Sequence, residues 1–174
     1  AGGTGGFIDQ MATLLSINPE EMDELSLKHE RIYPIASRCG VFAKTDIQPL
    51  LNQGARKEDV SASIFQAVVD QTVTGLSQGR KIEGKVLFLG GPLFFFKGLQ
   101  ERFAETLKLS KENAVFPSWA QYSVAIGTAI FTRGLDREYS YEEFHDILQN
   151  ASSRSKSTHY LKPLFATDQE HDEF

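Results

Sequence analysis

The segment KVLFLGGPL, residues 85–93, constrains the fold more than any other part of the chain. Residues 86–89 are a continuous apolar run, typical of a strand that is buried on both faces of an α/β sheet. Gly90 and Gly91 then form a turn into a helix predicted over residues 97–107. Such sheets bind ligands at the carboxyl ends of their strands, where glycine lets a ligand approach the backbone. The segment therefore predicts a strand with a candidate ligand turn, although a tight turn without a ligand fits it equally well.

Apolar periodicity and capping residues predict the other elements. Before the glycine turn they are a helix over 7–15 capped by Thr4, a short helix capped by Asn18 with Glu21, a β-like segment over 33–44, a helix capped by Thr45 with Gln48 and ended by Gly54, and a long helix over 58–77. After it they are a strand at 113–117, a helix capped by Ser118 with Gln121 and ended by Gly134, and a helix capped by Ser140 with Glu143. This alternation of strands and helices predicts an α/β fold.

The chain changes character at Ala151, where a polar, serine-rich stretch begins. We expect residues 1–150 to form one domain and residues 151–174 to be a linker followed by the start of another segment.

Charge and composition exclude several classes of function. The net charge of −5 argues against a general nucleic-acid-binding protein, which usually has a basic surplus. No apolar stretch approaches the roughly 18–20 residues that a membrane span requires. Cys39 is the single cysteine, which excludes an internal disulfide and fits the reducing cytoplasm. The histidines have no metal-ligand spacing, and we assign no catalytic residue.

The first six residues, AGGTGG, precede a helix and form a second candidate site. Backbone N–H groups in a glycine-rich turn at a helix amino terminus bind anions such as phosphate. The turn, where Thr4 adds a hydroxyl, is therefore a candidate anion site; a remnant of cloning or a frayed terminus is the alternative. Cys39 is either a small buried apolar residue or one thiolate of a shared metal site, since a single cysteine cannot hold an iron–sulfur cluster.

The segments AGGTGGFIDQMATLL, CGVFAKTDIQPLLNQG, EDVSASIFQAVVDQTV and VLFLGGPL, in this order, resemble the activator ATPases of 2-hydroxyacyl-CoA dehydratases and benzoyl-CoA reductases. The resemblance runs from Ala1 to about Gly134. It implies one ribonuclease-H-like lobe of the actin, Hsp70 and sugar-kinase superfamily, with a mixed sheet flanked by helices. The chain is then expected to be the second lobe only, from a long multidomain form, and to be inactive and weak in ATP binding by itself.

What this resemblance implies about function is specific. Such activators are homodimers that hold one [4Fe–4S] cluster between their subunits, bind ATP or ADP with Mg²⁺, and pass an electron to an acyl-CoA dehydratase component. The first cluster cysteine of the family precedes the position of Ala1, and the first lobe supplies the acidic residues for Mg²⁺. By position, Cys39 matches the second cluster cysteine of the family, and Gly3, Thr4 and Gly5 match its phosphate turn. Gly90 and Gly91 match its adenosine-side turn. Lys57 and Glu58 match residues that lie near the ribose or adenine.

Two other functions stay open on the residues alone. One is a small-molecule kinase of the same superfamily, in which Cys39 has no role. The other is an interaction domain that keeps the fold without nucleotide turnover.

Overall fold

The computed structural model of the chain describes residues 3–37, 39–135, 138–151, 165 and 167–173. The chain divides into two units, residues 1–131 and 132–174. The first unit contains the hydrophobic core and every residue that the sequence assigns to a site.

Helices make up most of the first unit. They are α1 (Thr4–Leu14), α2 (Pro19–Ser26), α3 (Gly40–Asn52), α4 (Lys57–Ser77), α5 (Gly91–Phe95) and α6 (Lys97–Thr106). A 3₁₀ turn over Ala120–Tyr122 leads into α7 (Ser123–Thr132).

Helix α4 is the centre of the core. Residues 59–65 and 67–69 are all buried, and Phe65 at 0% exposure packs its ring against Phe96. Helices α1, α2 and α6 all contact α4, which explains why residues 59–69 of this helix are buried on nearly every face. The helix predicted over 58–77 is confirmed.

Helix α2 begins as the sequence predicts. Asn18 is its N-cap, and the Asn18 side-chain oxygen accepts a hydrogen bond from the Glu21 backbone N–H at 2.7 Å. Pro19 occupies the first turn, where a backbone N–H has no acceptor within the helix, so the N–H that proline lacks costs no hydrogen bond.

The β-like segment predicted over 33–44 is wrong. Residues 31–37 are irregular, and α3 begins already at Gly40. The backbone N–H groups here bond to side chains instead of a neighbouring strand: Tyr33 donates to Ser63 Oγ at 2.8 Å, and Ala36 donates to Asp46 Oδ2 at 2.8 Å. The predicted Thr45 cap is wrong for the same reason, because Thr45 lies inside α3 and donates to the Val41 carbonyl.

The two predicted strands pair with each other in parallel. They are β1 (Val86–Leu87) and β2 (Ala114–Val115), with Val86 opposite Ala114 and Leu87 opposite Val115. The expectation that β1 is buried on both faces is wrong, because Leu87 is 51% exposed. Directly after the two strands, the Phe88 ring stacks on Phe116 with 4.6 Å between the ring centroids.

Helix α7 starts later than its predicted cap at Ser118. Residues 120–122 form the 3₁₀ turn, and no side chain caps that turn. Although α7 is strongly apolar, none of its residues is buried.

The second unit contains α8 (Tyr141–Gln149) and α9 (Asp168–Glu173). The predicted capping box of α8 is confirmed: Ser140 Oγ accepts from the Glu143 N–H, and Glu143 Oε2 accepts from the Ser140 N–H. Much of the polar stretch after Ala151 lies outside the described residues, and the domain boundary at 150/151 stays a prediction.

Candidate functional site

The first glycine turn opens α1. Gly3 is the N-cap residue with φ 94°, a conformation that favours glycine, and its carbonyl accepts from the Phe7 N–H at 3.1 Å. Thr4 is the first helical residue, and its side chain accepts no hydrogen bond from the helix start, so the predicted Thr4 cap is wrong. The first turn of α1 has no acidic side chain and no capping side chain, which leaves its backbone N–H groups available to an anion.

Open space lies beside this turn. A Cβ added at Gly3, Gly5 or Gly6 would meet no atom within 4 Å. The turn therefore has room for a ligand that approaches the backbone.

Cys39 is the N-cap residue of α3 and is a half-buried free thiol. The backbone amides of Phe42 and Val41 lower the pKa of the Cys39 thiol, and each of them outweighs the opposing effect of burial. The start of α3 lies close to α1, since a Cβ at Gly40 would be 3.4 Å from the Gln10 side chain. A thiol in this position is shifted toward the thiolate, the form that binds metals.

The two helix starts line one open cavity of about 720 Å³. Its walls include Gly3 and Thr4 from the first turn, Cys39 from the start of α3, and Thr72 and Gly75 from the far half of α4. The structure thus brings together three residues that the sequence assigns to phosphate binding and to the cluster.

The second glycine turn lies at an adjoining cavity of about 340 Å³. Gly90 has φ 107°, and its N–H donates to the Ala120 carbonyl at 3.0 Å. Its neighbours Leu89 and Pro92 line this cavity together with Thr4 and Gly5, whereas Gly90 and Gly91 themselves do not. Residues from both glycine turns therefore meet at one mostly apolar cavity.

Two α4 residues that the sequence does not assign to a site, Val68 and Thr72, line both cavities. Val68 is one of the apolar residues that recur at helical spacing in α4, so it is expected in the core, and it is only 5% exposed. The useful signal was the position of Thr72 one turn further along the same face.

Lys57 and Glu58 lie at the opposite end of α4. Lys57 Nζ donates to the Leu15 carbonyl at 2.8 Å, and Glu58 pairs with Arg56 at 3.7 Å. Val68 is roughly 16 Å further along the helix at about 1.5 Å per residue. The structure does not bring Lys57 or Glu58 to either cavity, and their assignment to the ribose or adenine stays a prediction.

Metal ligands are sparse in the described part of the chain. Among those residues, no group of three or more His, Cys, Asp or Glu side chains is placed to hold a metal ion. Cys39 offers one thiolate donor. None of the helices in the described ranges is long and apolar enough to cross a membrane.

Comparisons with known proteins show the family of the chain. Residues 1–132 match the model of the BadF/BadG/BcrA/BcrD ATPase family. The (R)-2-hydroxyglutaryl-CoA dehydratase activating ATPase of Acidaminococcus fermentans is 30% identical over 131 residues, 75% of this chain and 48% of that protein.

Two solved structures share the fold. The crystal structure of component A of that dehydratase has a TM-score of 0.64 at 31% identity and covers 74% of this chain and 48% of its own. The activator of the 2-hydroxyisocaproyl-CoA dehydratase from Clostridium difficile, with bound ADPNP, has a TM-score of 0.63 at 22% identity, over 94% and 53% of the two chains.

The chain spans about half the length of the relatives it matches. The fold is an α/β lobe of the actin-like ATPases, and the sheet in its described part consists of two parallel strands. The chain belongs to the BadF/BadG/BcrA/BcrD ATPase family.

Proposed function

We propose that this chain is the nucleotide-binding lobe of an ATP-dependent activator that passes an electron from a [4Fe–4S] cluster to a 2-hydroxyacyl-CoA dehydratase-type enzyme. One observation carries the proposal: Gly3, Thr4 and Cys39 line the same cavity. A phosphate turn and a metal-binding thiol at one cavity allow a bound nucleotide to alter the surroundings of the thiol directly. The relatives named above support the proposal, because their names describe activators of such dehydratases.

The nucleotide part of the proposal uses both glycine turns. The free N–H groups at the start of α1 suit phosphate oxygens, because the helix dipole adds positive potential there. The apolar surface of Leu89 and Leu93, beside the Gly90 turn, suits a purine base. We place ATP or ADP here, with Mg²⁺ held jointly with the first lobe of a complete activator.

The cluster part of the proposal uses Cys39. Its lowered pKa favours the thiolate that an iron–sulfur cluster requires. When bound, such a cluster supplies a one-electron carrier. Because Cys39 is the single cysteine of the chain, the remaining thiolates have to come from elsewhere. A homodimer of a complete activator, in which each subunit adds the first cluster cysteine of the family to Cys39, meets this need.

The partner part of the proposal uses the residues that follow Cys39. Val41 and Phe42 are 69% and 65% exposed. Large apolar side chains exposed beside a ligand thiol suit contact with a second subunit or with the dehydratase component.

The lone cysteine also fits a cytoplasmic protein, where thiols stay reduced.

Alkylation of Cys39 tests the nucleotide and thiol parts together. In the 174-residue chain, iodoacetamide reports on this one thiol, because there is no other cysteine. We expect millimolar ADP to slow alkylation several-fold, and adenosine without phosphate to slow it less.

A matched pair of variants locates the effect. Gly5→Asp adds a negative charge in the first turn of α1, where a side chain has open space, and Gly5→Asn adds a neutral side chain of the same size. Protection by ADP should be lost in Gly5→Asp and kept in Gly5→Asn. Equal behaviour of the two variants contradicts phosphate binding at this turn.

Anaerobic reconstitution with iron and sulfide tests the cluster. In a longer chain that restores the first lobe and its cluster cysteine, we expect iron to bind, and we expect no iron to bind to the Cys39→Ala variant of that longer chain. If ADP protects Cys39 but no iron binds, the kinase alternative is favoured. If ADP gives no protection and no iron binds, the interaction domain is favoured.

A further inference from the structure

Asp23, Ser26 and Gly98 join α2 to α6, and we call them the α2–α6 clamp. Asp23 is 8% exposed. Its Oδ1 accepts from the Gly98 N–H at 2.7 Å, and its Oδ2 accepts from the Lys97 N–H at 3.0 Å. These are the first two N–H groups of α6, whose own N-cap residue, Phe96, offers no side-chain acceptor. A carboxylate from a neighbouring helix therefore caps α6.

The clamp also fixes the distance between the two helices. A Cβ at Gly98 would overlap Ser26 Oγ and stand 3.2 Å from Asp23 Oδ1. Ser26 Oγ is held in turn by a 2.6 Å hydrogen bond to the Asp23 carbonyl. The start of α6 is therefore set against α2 both by contact and by hydrogen bonds.

Helix α6 forms a wall of the 340 Å³ cavity that is lined by Thr4 and Gly5 and by the flanking residues of the second glycine turn. Leu99, directly after Gly98, and Phe103, about one turn later, line this cavity. Leu93 of α5 lines it as well, and the Leu93 carbonyl accepts from Gln100 Nε2 of α6 at 2.6 Å. A shift at the start of α6 is therefore passed to three apolar side chains of the cavity.

We propose that Asp23 is a positioning residue for this cavity: by holding the start of α6, it sets the apolar wall of Leu93, Leu99 and Phe103 against which a nucleotide base packs. The identity of the ligand rests on the proposed function, whereas the effect of Asp23 on the cavity does not. Asp23 itself does not line the cavity, so it acts through α6.

The test compares Asp23→Ala and Asp23→Asn with Asn18→Ala in the 174-residue chain. Asn18→Ala is the matched control. Like the Asp23 variants, it removes a side-chain acceptor from a helix start, but that helix is α2, and Asn18 does not line the cavity. The first readout is the methyl NMR spectrum of Leu93 and Leu99 without ligand. The second readout is the dissociation constant for ADP.

We expect Asp23→Ala to move both methyl resonances and to weaken ADP binding about five- to tenfold, the effect of losing one or two hydrogen bonds to the start of α6. Asp23→Asn retains one acceptor oxygen and should fall between Asp23→Ala and the unaltered chain; it also serves if Asp23→Ala does not fold. Asn18→Ala should change ADP binding less than about twofold.

Three results overturn the proposal: unmoved methyl resonances in both Asp23 variants, unchanged ADP binding in both of them, or an equal effect of Asn18→Ala. An unaltered chain that binds no ADP refutes the proposed function instead. In that case, moved methyl resonances still support the role of Asp23 in shaping the cavity.

Discussion

Replacing Gly98 by alanine is the sharpest test of the packing between α2 and α6. In an ordinary helix, alanine instead of glycine gains up to about 1 kcal/mol. At Gly98 the new Cβ would overlap Ser26 Oγ, which is buried and hydrogen-bonded to the Asp23 carbonyl. Turning the Ser26 side chain away would leave a buried hydroxyl without its partner, at a cost of about 1–3 kcal/mol.

The clash itself adds about 1–3 kcal/mol when neighbours have to shift. Because these costs exceed the gain in helix propensity, we expect Gly98→Ala to lower the free energy of unfolding by about 1–6 kcal/mol. The matched control is Gly75→Ala in α4, where a Cβ would meet nothing within 4 Å. That variant should leave the free energy of unfolding unchanged or raise it by up to about 1 kcal/mol.

The assay is urea unfolding followed by circular dichroism. Adding Ser26→Ala to Gly98→Ala removes the overlapping oxygen and should recover part of the loss, though not all of it, because the Ser26 Cβ would still be 3.1 Å from the new methyl group. If Gly98→Ala proves as stable as Gly75→Ala, the close approach of the two helices is refuted.

Three further predictions follow from buried and titratable side chains. Burial raises the pKa of Asp59, but hydrogen bonds from the Glu30 and Arg31 amides, with the charge of Arg56, outweigh burial and hold the pKa below its ordinary value. The ionised Asp59 therefore stabilises the fold above about pH 4, and this stabilisation is lost as the pH falls through the lowered pKa. Acid unfolding should accordingly be less steep in Asp59→Asn, and an unchanged profile contradicts this assignment. The pH profile of Cys39 alkylation should have its midpoint below the ordinary thiol value of about 8.5, and a midpoint at or above that value refutes the effect of the α3 amides. Phe65→Ala should lower the free energy of unfolding by about 3–5 kcal/mol, because Phe65 is fully buried on the central helix; a loss below about 1 kcal/mol in urea unfolding would falsify its central place in the core.

The long helix α4 and the cap of α2 could be predicted from sequence because their signals are local. Apolar spacing determines α4, and Asn18 lies three residues before the amide that it caps. Residues 33–44 could not be predicted in this way. Their β-branched and aromatic composition favours a strand, but the Tyr33 amide bonds to Ser63 in a distant part of the chain.

The same contrast holds for the site. The glycine turns before α1 and α5 were recognisable from their spacing to the following helices. The closeness of Cys39 to Gly3 depends on how α3 packs on α1, which no local pattern encodes, and only the family resemblance suggested it. Val68 and Thr72 were missed because a residue of a buried helix can line a cavity without breaking the apolar pattern.

An ADP titration of the ¹⁵N-labelled chain tests the central claim most directly, namely that the first glycine turn binds phosphate beside the Cys39 thiol. We predict that ADP shifts the amide resonances of Thr4, Gly5 and Cys39, with smaller shifts at Leu93, and that Gly5→Asp abolishes them. Amide shifts confined to other parts of the chain, or no shifts at millimolar ADP, contradict the claim.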